Sequence, residues 1–230
     1  MQADRPLELK GSVYMLNSCA AGAAMIHPTN NAIHRGRKYA QVLAGAQQVF
    51  MADGFEGASV DEIARVAEVS KATLYKYFPD KKMLFMEVAN SECQRQAAEA
   101  LAKIDRSAPP RDVLGQTGRH FVGFISSKFG QQIFRICVTE SDRFPELGRR
   151  FYDSGPGLMR VEIAAYFAQA CARGELVIED HLMAADQFGE LCKAGLWMRL
   201  MFGVIKEVTR VEIDRVVDQA VDTFLARYGT

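Results

Sequence analysis

The chain has 230 residues, 49% of them hydrophobic, with few alternating β-branched runs, which is enough to bury a real core in one small and one larger helical domain. Its 28 Lys and Arg balance 28 Asp and Glu, excluding a highly basic chain: residues 35–82 carry eight bases and six acids, a net of +2, against −2 elsewhere. Cys19, Cys93, Cys137, Cys171 and Cys192 form no CxxC pair, and His27, His34, His120 and His181 lack ligand spacing, so reduced cytoplasmic thiols, no metal and no cofactor are expected.

Residues 1–34 show no sustained period and hold only Arg5 and Lys10 as bases, so a disordered N-terminal extension is expected, with Met15 and Met25 as alternative starts. The apolar run before Cys19, Val13 to Leu16, is too short for a signal peptide. Arg35 and Arg37 then begin either a basic arm toward phosphates and the minor groove or the solvated start of a helix. That first helix runs from about Arg37 to Ala52 on Val42, Leu43, Ala46, Val49 and Phe50, with Gly54 ending it.

Residues 59–78 carry most of the function. Ser59 is a natural N-cap, with Glu62 completing a capping box, and Val60, Ile63, Ala64 and Ala67 form the inner face of a short helix. Glu68 and Val69 turn the chain. Ser70 caps a second helix to Tyr77, with Ala72 and Leu74 inward and Phe78 closing the end. This is helix-turn-helix spacing. Ser59, Ser70, Lys71, Thr73, Tyr75, Lys76, Tyr77 and Lys81 supply hydroxyls and ammonium groups suited to phosphates and base edges of double-stranded DNA.

A long helix follows from Asp80 to about Ile104, with Leu84, Phe85 and Val88 beneath the hairpin and a polar stretch from Glu92 to Glu99. Beyond the break at Ser107 to Pro110, six helical patterns span about 113–128, 131–140, 145–153, 157–173, 182–204 and 211–228. Their apolar residues are rich in rings and sulfur. Phe121, Phe124, Phe134, Tyr152, Tyr166, Phe167, Trp197 and Met201 are read as pocket lining, with plain core as the alternative, and His120, Glu140 and Arg143 as nearby polar groups. Leu191, Ala194, Gly195 and Met198, with the stripe Val217, Ala220, Val221 and Phe224, are read as a dimer interface; the alternative is packing within the chain. The charges Glu190, Lys193 and Arg199 argue against a membrane span in 188–204.

The helix ending Gly54 to Ser59, the core from Ile63 to Lys81 and the Leu84 helix resemble the TetR family of bacterial transcriptional regulators. The segment Glu140 to Leu147 and the helical tail are similar to the C-terminal region of AcrR- or AefR-like members. The resemblance implies an all-α fold: a three-helix helix-turn-helix DNA-binding domain in 35–82, and a larger ligand-sensing and dimerisation bundle in 83–230. It further implies a cytoplasmic homodimer released from a near-palindromic operator by an apolar small-molecule effector, with Tyr75 and Lys81 on phosphate. A DNA-binding dimer without small-molecule control, and a helical enzyme acting on a lipophilic substrate, are the alternatives. No catalytic set is recognisable for the latter.

Overall fold

The computed structural model describes residues 36–103, 105–142 and 144–230, leaving aside the side chains of Ala100, Leu101, Lys103 and Leu147. Expectations for residues 1–34, Arg35 and Arg143 lie outside the described residues. Among the described residues, eleven helices follow one another: α1 Arg37–Gly57, α2 Val60–Val66, α3 Lys71–Tyr77, α4 Lys81–Lys103, α5 Pro110–Ser126, α6 Lys128–Glu140, α7 Pro145–Ser154, α8 Pro156–Ala172, α9 His181–Lys193, α10 Trp197–Met201 and α11 Arg210–Tyr228. The fold is all-α, and no described helix is long and apolar enough to cross a membrane.

Local signals set most of these boundaries. Gly54, at φ 71°, breaks α1 into a long leg and a short turn that aims Phe55 back into the core. Ser59 Oγ accepts from the Glu62 N–H at 3.0 Å and Ser70 Oγ accepts from the Thr73 N–H at 3.1 Å, so both predicted N-caps form. The Glu62 carboxylate turns to Arg65 instead of returning to Ser59, and the predicted capping box is half made. A complete one opens α11, between Thr209 and Glu212.

The turn between α2 and α3 is a Schellman closure. The Val69 N–H donates to Ala64 at 3.0 Å and the Glu68 N–H to Arg65 at 3.2 Å, with Glu68 itself at φ 53°. On α3, Leu74 is fully buried and Phe78 nearly so, while Ala72 is exposed. Two residues on a helix are about 200° apart, so Ala72 and Leu74 cannot share a face.

Two cores result. The first gathers α1 to α4 around Phe50, Ile63, Leu74 and Phe85 and takes in Phe129, Ile133 and Cys137 from α6. The second joins α5, α8, α9 and α11 around Leu114, Phe167, Phe188, Val217 and Phe224. The expected continuous helix over 182–204 is two helices. Ala194 leaves helical geometry at ψ 128° and Gly195 takes φ 71°, so the pair makes a break within the span expected as one helix.

Left-handed backbone at a side-chain-bearing residue costs about 1 kcal/mol that glycine avoids. Glu68→Gly is therefore expected to raise the midpoint of thermal unfolding by ~2–4 °C in a circular-dichroism melt. Gly45→Ala should do the reverse, by ~1–3 kcal/mol, because an added Cβ would stand 2.7 Å from both the Cβ and the backbone nitrogen of Ala67 where α1 crosses α2.

Candidate functional site

Two regions gather candidate functional side chains, the outer face of α3 and a cavity bounded by α4, α5, α7 and α8. On α3, Lys71, Tyr75 and Lys76 are exposed, and Thr73 and Tyr77 are half-buried. The Lys71 ammonium pairs with Asp61 of α2, and both side chains are more than half exposed, so the pair exchanges readily for a stronger anion. Ser70 and Thr73 share a hydroxyl hydrogen bond of 2.9 Å, which fixes their rotamers at the front of the helix. Tyr77 meets Tyr39 edge to face at 5.6 Å, and Tyr39 stacks on Phe78 at 5.4 Å, so Tyr77 serves the core with part of its ring. Ser59 is spent as a cap with an exposed hydroxyl, and Arg37 is exposed at the start of α1.

Lys81, expected on phosphate, is also tied within the chain. Its Nζ donates to the Ala58 carbonyl at 3.1 Å and lies 4.5 Å from the centre of the Phe55 ring, fastening the end of α1 to the start of α4. Further ties bind α1 and α4 to α6 and α7. Lys82 pairs with Glu140 of α6 at 2.5 Å, the Phe55 N–H donates to Gln132 Oε1 at 3.2 Å, and Arg150 of α7 reaches Glu87 at 2.6 Å. Glu140 is thus a structural partner of α4.

The cavity measures ≈ 140 Å³ and its wall is apolar almost throughout. Cys93, Gln96 and Ala97 face it from α4; Leu114, Thr117, His120, Phe121 and Phe124 from α5; Phe151 from α7; Met159, Glu162, Ile163 and Tyr166 from α8. Burial pushes the Cys93 thiol up to about 12, so it remains protonated.

Of the eight residues expected to line a pocket, Phe121, Phe124 and Tyr166 do so. Phe167 is fully buried in the second core, stacked on Phe224 at 5.0 Å. Phe134 and Trp197 pack edge to face at 4.9 Å between α6 and α10, Tyr152 points outward with half its surface exposed, and Met201 ends α10 away from the cavity. The α4 contribution was missed, although its spacing of 93, 96 and 97 is one helical face that small and polar residues kept from reading as apolar.

Beside the cavity lies a buried carboxylate. Glu92, 1% exposed, accepts from both Arg95 Nε and Nη2, from Gln96 Nε2 at 2.8 Å and from Gln47 Nε2 of α1 at 2.9 Å. Gln96 therefore touches both the cavity and the carboxylate that holds α1. Among the expected interface residues, Val217, Ala220, Val221 and Phe224 are buried within their own chain against α5, α8 and α9, so the intrachain alternative holds for that stripe. Ala194, Gly195 and Met198 are exposed and Leu191 is half-buried. A groove between α9 and α11 is bounded by Met183, Leu191, Ala194, Thr223 and Tyr228.

Comparison with known proteins places these features. Residues 112–230 match the AefR-like transcriptional repressor C-terminal domain, and residues 42–88 match the bacterial regulatory proteins of the tetR family. The chain is 31% identical over 80 residues to the HTH-type transcriptional repressor AcnR of Corynebacterium diphtheriae, across 35% of this chain and 42% of that one. It spans less than half the length of the curated relatives it matches. A TetR-family regulator structure from Mesorhizobium loti superposes with a TM-score of 0.74 at 28% identity, covering 86% of this chain and 99% of that one. The flavonoid-responsive regulator FrrA superposes at 0.60 with 31% identity, covering 84% and 98%.

The Arg95 hydrogen bond, first among several donors, holds the Glu92 carboxyl below its ordinary range against the opposing effect of burial. A lowered native value means the stabilisation is present above the unfolded carboxyl value of about 4.3 and is lost as pH falls through the lower native value. Acid unfolding followed by fluorescence should show this loss, and Glu92→Gln should flatten that limb; an identical acid limb in the variant would remove Glu92 as its source.

Proposed function

The chain belongs to the tetR family of bacterial regulatory proteins, and we propose that it is a homodimeric DNA-binding repressor released from a near-palindromic operator by an apolar small molecule held in the cavity between α4, α5, α7 and α8. Family membership sets aside the enzyme alternative. The observation that carries the reading is α4 itself. Its first turns lie in the core of the helix-turn-helix, and its later turns wall the cavity.

In this reading residues 36–82 form the reading head, and α3 enters the major groove with Lys71 and Thr73 toward base edges. Tyr75, Lys76 and Tyr77 meet the phosphate backbone, and Arg37 offers a further charge at the start of α1. Two heads related by a two-fold axis meet half-sites about one helical turn, ~34–36 Å, or a multiple of it apart. The dimer surface is assigned to the outer sides of α9, α10 and α11, where Leu191, Ala194, Met198 and the groove between α9 and α11 are accessible.

Release follows from unequal affinity. A ligand that fits the cavity better when the heads are mis-spaced draws the population away from the DNA-competent state, and tight binding alone would not. The path available for that bias is short: Gln96 at the cavity, Glu92 beside it, Gln47 on α1.

Three outcomes test the reading, using the DNA upstream of the gene against a scrambled duplex at two salt concentrations. Tyr75→Phe and Lys76→Ala should weaken every sequence alike, lowering the salt slope by about one for the lysine, while Lys71→Ala or Thr73→Ala should change sequence preference. Lys81→Ala should lose both DNA affinity and thermal stability, because its ammonium also fastens Ala58. Ala194→Arg should convert the dimer to a helical monomer in sedimentation and reduce operator affinity; a persistent dimer would put the interface elsewhere.

A further inference from the structure

The charges in the cavity wall cancel each other. Arg106 Nη2 lies 2.5 Å from Glu162 Oε2, and with side chains 41% and 28% exposed the pair stands partly open to solvent at the rim of an otherwise apolar space. The remaining polar groups are mostly committed: the Tyr166 hydroxyl donates to the Ala108 carbonyl at 3.0 Å, and the Gln96 amide donates to Glu92. His120 and Thr117 are left to meet a ligand. An ionised molecule entering this wall would shed its water and find Arg106 already satisfied, which is unfavourable.

Size narrows the class further. A volume of ≈ 140 Å³ is close to the apolar cavity of about 150 Å³ that accommodates benzene, so one or two fused rings fit and a long acyl chain does not. Phe121, Phe124, Phe151 and Tyr166 supply ring faces and edges around that space.

We propose that the cavity selects a neutral, ring-sized apolar molecule with a single hydrogen-bonding group, and that the Arg106–Glu162 pair determines this specificity by denying a free cation to carboxylates. The proposal rests on the reading of this cavity as the effector site. Glu162 acts here as a specificity residue: with its carboxylate gone, Arg106 becomes an unpaired cation beside an apolar slot, a site for an aromatic acid.

Titration calorimetry and thermal shift on the full chain at neutral pH, with 2-naphthol, 2-naphthoate and decanoate as probes, test it. The expected result is a 2-naphthol affinity at least about tenfold above that of either carboxylate. Glu162→Gln should invert the order of 2-naphthol and 2-naphthoate, and Arg106→Gln combined with Glu162→Gln should restore it. A carboxylate that binds the unsubstituted protein as well as 2-naphthol overturns the specificity and leaves the effector reading intact. So does an unchanged order in a folded Glu162→Gln protein. Failure of all three probes to bind overturns both, and the ratio on unsubstituted protein decides alone if a variant does not fold.

Discussion

The geometry of the reading head depends on one ring that water does not reach. Phe85, fully buried on α4, meets Phe50 at 5.0 Å and Phe55 at 5.2 Å, rings that lie on either side of the Gly54 break, and Phe129 of α6 at 5.6 Å. All three contacts are edge to face, the arrangement that ring quadrupoles favour and that resists sliding. Because α2 and α3 pack on α1, the direction of α3 is inherited through this cluster from α4. A close-packed core of this kind moves as a body or not at all, so a shift of α4 carries the head with it.

Glu92 adds direction to that mechanical link. A buried carboxylate is seldom the most stabilising choice at a helix interface, since apolar residues of similar volume often serve as well. What it adds is geometry: Arg95 and Gln96 hold the carboxylate from α4 itself, and the Gln47 bond from α1 forms only when the two helices keep one relation. From Phe85 to Gln96 is eleven residues of a single helix, about 16 Å at 1.5 Å per residue, so the aromatic hub and the cavity wall are two stations on one rod. Gln96 and Gln47 donate to opposite oxygens of the Glu92 carboxylate, so the cavity wall and α1 meet at one group.

The helix-turn-helix was legible because its signals are local: two serine caps, a turn, and apolar residues at helical spacing determine it before any tertiary contact. Even there, Ala72 was assigned inward on composition against the 100° advance of the helix, and Glu68 occupies a left-handed turn that favours glycine without containing one. The cavity was less legible because rings at helical spacing look alike whether they line a space or fill it. Phe167 and Phe121 have the same local pattern, and only the arrival of Phe224 from α11 makes the first a core residue. The Ala194 and Gly195 pair, expected inside one continuous helix, forms a break instead, with φ 71° at Gly195.

The stripe on α11 shows why sequence symmetry cannot assign an interface. One helix has a limited circumference, and Ile213, Val217, Ala220, Val221 and Phe224 spend the apolar part of it inside the chain. A second strip is taken by ion pairs with α5, where Arg119 meets Asp214 at 2.7 Å and Asp218 at 2.5 Å and Arg111 meets Asp222 at 2.7 Å. The side toward α9 stays open, where Thr223 and Tyr228 border the groove with Leu191 and Met183. An interface built there mixes polar rim and apolar centre as subunit contacts generally do, and it leaves the interior of each subunit complete before assembly. The same arrangement ties α5, which walls the cavity on one side, to α11, which borders the groove on the other.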